Sequence, residues 1–252
     1  MYYRTMERMS VIPHKSGFRA GRLGTLLIAW IVLFAPTQRN NFGFSLGASA
    51  SNAQSIRVLV LGDSLSAGYG LDPEQAFPAL LEERARRSGL PVEVVNAGVS
   101  GDTTASGLRR INWLLRSPVD VLLLELGAND GLRGVSPETT YRNLQEIVDR
   151  ARTSKPAIEI ILAGMMVPPN MGADYSRKFR AVFPTLAAEK DLHLIPFLLE
   201  GVAGNPSLNL PDGIHPNSAG HRILADNVWK VLGPILQKIA ATGVAGTSGL
   251  SR

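Results

Sequence analysis

From residue 56 onward, short β-branched apolar runs alternate with longer amphipathic ones, and few architectures accommodate that alternation. Strands are predicted at 57–61 (RVLVL), 92–96 (VEVVN), 119–126 (VDVLLLEL), 158–163 (IEIILA) and 193–196. Helical patterns fall between and after them at 75–88, 103–115, 137–152, 175–190 and 217–239. In the last of these, Ile223, Leu224, Val228, Val231, Leu232 and Ile235 share one face at helical spacing. Strands this apolar, separated by helices, are expected to be covered on both faces. The pattern therefore predicts an α/β fold: a three-layer α/β/α sandwich, flavodoxin-like, with a parallel sheet of about five strands. No repeat or interdomain linker breaks it, so 54–240 reads as one domain. The Gly/Ser/Thr-rich stretch 241–252 is expected to be a disordered tail.

The charge is unevenly placed. The 252 residues hold 26 Lys+Arg against 21 Asp+Glu, a net +5 that on its face suggests a nucleic acid or an anionic surface as partner. Residues 1–53 account for the whole excess, with six bases (Arg4, Arg8, Lys15, Arg19, Arg22 and Arg39) and one acid, Glu7. An uncharged run of residues 23–35 (LGTLLIAWIVLFA) follows Arg22, in the order of an export signal's basic and apolar regions. It is too short to span a bilayer, which takes about 20 residues. Ala48-Ser49-Ala50 and Ser51-Asn52-Ala53 both offer peptidase sites, so 1–53 is expected to be a signal peptide and leader. The remaining chain is neutral, which removes the argument for nucleic acid and leaves no stable membrane anchor after processing. An exported protein, periplasmic or secreted, is the expectation; an uncleaved amphipathic anchor is the alternative.

In an open parallel sheet, ligands bind beyond the carboxyl ends of the strands. Four segments there carry polar residues. The first strand leads into Gly62-Asp63-Ser64-Leu65-Ser66-Ala67-Gly68, where a serine at a strand-to-helix turn can present its hydroxyl to a base. The second leads into Asn96-Ala97-Gly98-Val99-Ser100-Gly101-Asp102-Thr103-Thr104, where a glycine lets a backbone N–H approach an anionic oxygen. The third leads into Gly127-Ala128-Asn129-Asp130-Gly131, whose Asn amide can donate to an oxyanion. The fifth is followed, beyond a Pro/Asn-rich loop, by Asp212-Gly213-Ile214-His215-Pro216-Asn217, in which a carboxylate three residues before a histidine can hold its Nδ1–H and free Nε2 as a base. Taken singly, each of the first three has a plainer reading as a helix cap or turn. His193, in a strand pattern, and His221, within a helix, read as structural. Together the four segments supply a nucleophile, oxyanion donors and a base at one edge of one sheet. With no cysteine there is no thiol nucleophile, disulfide or thiolate zinc site, and the three histidines after the leader offer no convincing metal cluster.

These segments resemble the SGNH (GDSL) hydrolases, named for a Ser, Gly, Asn and His in separate blocks: GDSLSAGYG, NAGVSGDTT, ELGANDGLRG and DGIHPN. The resemblance spans nearly all of 56–236 and looks nearest to the exported bacterial thioesterase I, lysophospholipase and arylesterase group. It implies Ser64 as nucleophile, Asp212 and His215 as orienter and base, and the N–H groups of Ser64 and Gly101 with the Asn129 side chain as oxyanion hole. Between Gly98 and Gly101, Gly101 is preferred because it precedes the Asp-Thr-Thr helix start. The expected activity is a serine esterase acting through an acyl-Ser64 intermediate on small-molecule substrates, with short acyl or aryl esters first and thioesters and lysophospholipids in reach, and no cofactor. The loop after the fourth strand puts Met165, Met166, Pro168 and Met171 where they could line an adaptable apolar acyl groove; an ordinary packed connection is the other reading. A carbohydrate or peptidoglycan O-acetylesterase would use the same machinery, and a non-catalytic ligand-binding module would share the fold. Nucleotide binding is disfavoured, since neither G-x-x-x-x-G-K-[ST] nor G-x-G-x-x-G is present.

Overall fold

The computed structural model describes residues 55–247. The leader at 1–53, with its proposed cleavage sites, lies outside the described residues, as does the end of the tail. Five parallel strands, β1 (Ile56–Gly62), β2 (Val92–Asn96), β3 (Val121–Glu125), β4 (Glu159–Ala163) and β5 (His193–Ile195), form one sheet in the order β2-β1-β3-β4-β5. This is the flavodoxin-like order, whose direction reverses between β1 and β3. The three-layer expectation holds.

Among the described residues, seven helices connect and cover the strands: α1 (Ser64–Ala67), α2 (Phe77–Arg87), α3 (Thr104–Leu114), α4 (Ala128–Leu132), α5 (Pro137–Ser154), α6 (Ala173–Glu189) and α7 (Ser218–Thr247). Right-handed crossovers that proceed in opposite directions along the sheet put their helices on opposite faces. Accordingly α2 packs against α7, while α3, α5 and α6 lie side by side in the other layer. In α5, Ser136 accepts the Thr139 N–H as N-cap, Pro137 opens the helix, and Leu144, Ile147, Val148 and Ala151 turn inward. The core centres on β1, β3 and β4, with Val58, Val60, Leu61 and Leu122–Leu124 carrying no solvent-accessible surface. Each such leucine contributes about 1.5–3 kcal/mol through burial.

Three details differ from the pattern-based reading. β2 is only half-buried, because it is the sheet edge and lacks a neighbour on one side. The short helices α1 and α4 were not anticipated; four or five residues are too few to show a helical period. The last helix runs to Thr247, seven residues into the expected 241–252 tail, since Ala240 and Ala241 continue it without a break.

Candidate active site

Ser64 stands at the reversal point. β1 ends at Gly62, Asp63 turns the chain, and Ser64 opens α1, which closes on Gly68 in the left-handed conformation (φ 72°). Asp63 is the N-cap: its Oδ1 accepts the Leu65 N–H at 3.0 Å. The cap expected as an alternative to a nucleophile turn is thus present, and the same turn lifts Ser64 above the sheet edge.

His215 reaches Ser64 from the loop after β5. A bridge between Asn209 and Pro216, with the Leu210 N–H donating to the His215 carbonyl at 2.7 Å, holds the loop back on itself. Asp212 then wraps the histidine: Oδ1 accepts the N–H groups of Ile214 and His215, each at 3.0 Å, and Oδ2 lies 2.7 Å from His215 Nδ1. The His215 backbone N–H, its ring and the Ile214 N–H pull the Asp212 carboxyl down to about 2, so it is ionised across the neutral range. An ionised partner at Nδ1 places the ring proton there and turns the Nε2 lone pair toward Ser64 Oγ, 3.0 Å away. The Tyr69 ring lies over the imidazole at 4.4 Å between centroids, tilted by 33°. Such a relay can transfer the serine proton to histidine as the oxygen attacks an electrophile.

Asn129, in α4, sends its Nδ2 toward Asp63 Oδ2 at 3.1 Å and the Asp102 carbonyl at 3.0 Å. Both amide hydrogens are therefore engaged. Burial pushes the Asp63 carboxyl up to about 6, against the opposing pull of the Leu65 N–H and the Asn129 amide. Gly101 adopts φ 84° and lines the same cavity as Ser64, Asn129 and His215. Gly98 does not: a Cβ there would stand 2.4 Å from the Ala67 nitrogen, so its role is close packing on α1. Arg110 fixes the Gly101 segment to β1, with Nε 2.8 Å from Asp102 Oδ2 and Nη2 donating to the Gly62 carbonyl at 3.0 Å. Asp130 accepts the Thr104 N–H at 2.8 Å and ties the Asn129 turn to the start of α3.

A cavity of about 830 Å³ opens over Ser64, with a mainly apolar wall that includes Met165, Met166, Val167, Pro168, Phe197 and Leu199. Three of the four groove residues expected from the sequence, Met165, Met166 and Pro168, are there. Met171 is not; it ends a short 3-10 turn, Pro169–Met171, that carries it out of the lining. Phe197 and Leu199 had no recognisable signal, being ordinary apolar residues whose position depends on the loop after β5. Glu125 was also missed as a site neighbour, although a carboxylate inside the apolar run VDVLLLEL is an anomaly that sequence alone displays. Among the described residues, no group of three or more His, Cys, Asp or Glu is placed to hold a metal ion.

A family model described as GDSL-like lipase/acylhydrolase matches residues 60–223. The chain is 43% identical over 180 residues to Esterase TesA of Pseudomonas aeruginosa, covering 71% of this chain and 89% of that protein. It is 40% identical over 180 residues to thioesterase 1/protease 1/lysophospholipase L1 of Escherichia coli, covering 71% of this chain and 84% of that protein. The crystal structure of a psychrotrophic esterase, EstA from Pseudoalteromonas, inhibited by monoethylphosphonate, superposes with a TM-score of 0.68 at 32% identity, covering 72% of this chain and 98% of that one.

Proposed function

The chain belongs to the GDSL-like lipase/acylhydrolase family and is a serine ester hydrolase, and from that premise we propose that Ser64 is its nucleophile, His215 its base and Asp212 the group that orients the base. The observation that carries this reading is the continuous line from Asp212 through both ring nitrogens of His215 to Ser64 Oγ, at 2.7 and 3.0 Å, opening on an apolar cavity. His215 Nε2 takes the Ser64 proton as Oγ bonds to the acyl carbonyl carbon. The resulting imidazolium is stabilised by the ionised Asp212 and by the Tyr69 ring face. It then protonates the departing alcohol or thiol, and water, deprotonated by the same nitrogen, releases the acid and restores Ser64.

The oxyanion is held by the N–H groups of Ser64 and Gly101 and by Asn129 Nδ2. In the free site both hydrogens of that amide are occupied, so donation requires Asn129 to share the hydrogen now given to the Asp102 carbonyl. A full oxyanion is a stronger acceptor than a peptide carbonyl, so the exchange favours the transition state over the bound ester. The substrates we propose are short acyl and aryl esters, with thioesters and lysophospholipids accepted through the same site; a mainly apolar wall favours an acyl chain over an acetylated glycan. We further propose that residues 1–53 direct export and are removed. An intact Met1 in the mass of the natural protein would contradict that.

Replacing Ser64 by alanine tests the central assignment. Ester turnover should fall by about 10⁴-fold or more while the unfolding midpoint stays close to the parent's, and covalent modification by an organophosphonate should disappear. Turnover at the parental rate would refute it.

A further inference from the structure

Glu125 ends β3 directly beneath the turn that carries Ser64 and has no solvent-accessible surface. Its Oε2 accepts two hydrogen bonds from that turn, from the Asp63 N–H at 3.1 Å and from the Ser66 hydroxyl at 2.6 Å. Among the described residues no group donates to Oε1, which is also buried. An ionised carboxylate in this position would be a buried charge with one oxygen bare and without a cationic partner, an arrangement that proteins avoid by retaining the proton. The charged group that does bear on it, Asp63, has the same sign, and burial first and Asp63 second push the Glu125 carboxyl well above its ordinary range.

The two acids divide the turn between them. Asp63 uses its own side chain on the far side, accepting the Leu65 N–H and the Asn129 amide, while Glu125 holds the Asp63 N–H and the Ser66 hydroxyl. Residues on both sides of Ser64 are thereby fixed to the end of β3. The space is matched to this purpose: a Cβ at Gly62 would stand 2.0 Å from Ser66 Oγ and 2.4 Å from Glu125 Oε2. A side chain at residue 62 would push the acid off its partners.

We propose that Glu125, held as a neutral carboxylic acid, is a positioning residue for the nucleophile: it sets the angle of the Ser64 hydroxyl and backbone N–H through Asp63 and Ser66. The inference rests on the reading of Ser64 as nucleophile. With the proton on Oε1, Oε2 remains a carbonyl-type acceptor for both turn donors, and Glu125 adds no second buried charge to that of Asp63 beneath a site that must develop negative charge on the substrate oxygen.

The test compares Glu125→Gln and Glu125→Leu in the full chain, with a soluble aryl ester and with the rate of organophosphonate labelling of Ser64. Glutamine keeps an uncharged acceptor in the same place and should retain kcat within about threefold. Leucine keeps the bulk but leaves both turn donors unpaired; kcat and the labelling rate should fall about 10- to 100-fold with KM little changed, as misplacement of a reacting group does. Ser66→Ala removes one of the two bonds and should give a smaller fall in the same direction, which keeps the proposal testable if the leucine variant does not fold. A glutamine variant as impaired as the leucine one would show that charge is needed and overturn the neutral-acid assignment. A folded leucine variant with parental kcat would overturn the positioning role alone, provided Ser64→Ala is inactive; an active Ser64→Ala would overturn the nucleophile reading and this proposal with it.

Discussion

Replacing His221 by glutamine should remove a defined part of the protein's acid sensitivity. His221 opens no route to the substrate; it lies in α7, 1% exposed, where its Nδ1 accepts the N–H of Phe77 at 3.1 Å and its ring stacks on Phe77. α2 has no side-chain cap of its own, so this imidazole fills that place and joins α2 to α7. A proton on Nδ1 would convert the acceptor to a donor facing another N–H. Burial, with a smaller effect from His215, lowers the His221 pKa from 6.5 to about 4. The unfolded chain therefore holds more protons than the folded one between those values, and this group's contribution is complete above pH 6.5 and lost as pH falls through 4. The full shift corresponds to about 3 kcal/mol, of which about 2 kcal/mol is already lost at about pH 5. Asp63 acts in the opposite sense: its raised carboxyl contributes stability that is present below 3.8 and lost as pH rises through about 6. The measurement is therefore a difference, parent minus His221→Gln, by urea unfolding at about pH 5 and about pH 8, in which contributions from the other groups cancel. The glutamine keeps an acceptor for Phe77 and does not titrate. The parent should lose about 2 kcal/mol relative to the variant at the lower pH, equivalent to about 4–8 °C in Tm for a domain of this size. A difference that does not change with pH would refute the account of His221 as a buried neutral acceptor.

Other consequences concern the site itself. Asn129→Ala should reduce kcat by about 10²–10³-fold, the loss seen when a single oxyanion donor is removed; an unchanged kcat would remove Asn129 from the oxyanion hole. Asp212→Asn should lower kcat by about 10²–10⁴-fold at neutral pH, because the amide no longer fixes the Nδ1–H tautomer. Since the Asp212 carboxyl is held down at about 2, the acid limb of the parent's rate profile cannot come from its protonation near neutrality. Met165→Phe, which fills part of the cavity, should shift preference toward shorter acyl chains while leaving turnover of the smallest ester nearly intact, whereas Met171→Ala should leave chain-length preference unchanged; assays over a series of p-nitrophenyl esters distinguish the two.

The alternation of apolar runs determined the parallel sheet and its two helical layers, because burying β-branched strands on both faces and amphipathic helices on one permits little else. The segments that follow β1, β3 and β5 were legible for a related reason: polar residues in the same order at the carboxyl edge of such a sheet converge there whatever the loops between them do. Glu125 was missed although it stands as a charge inside an apolar run, because nothing in the sequence shows what it touches. Tertiary structure decided the rest. It brought His215 to 3.0 Å from Ser64 across 151 residues of chain, a distance that depends on the bridge folding the final loop back. It also gave Gly98 to packing and Gly101 to the cavity, although both are glycines in one turn. Met171 was excluded and Phe197 and Leu199 included because a cavity wall is assembled from several loops, and no local period records which side chains of separate loops will face one another.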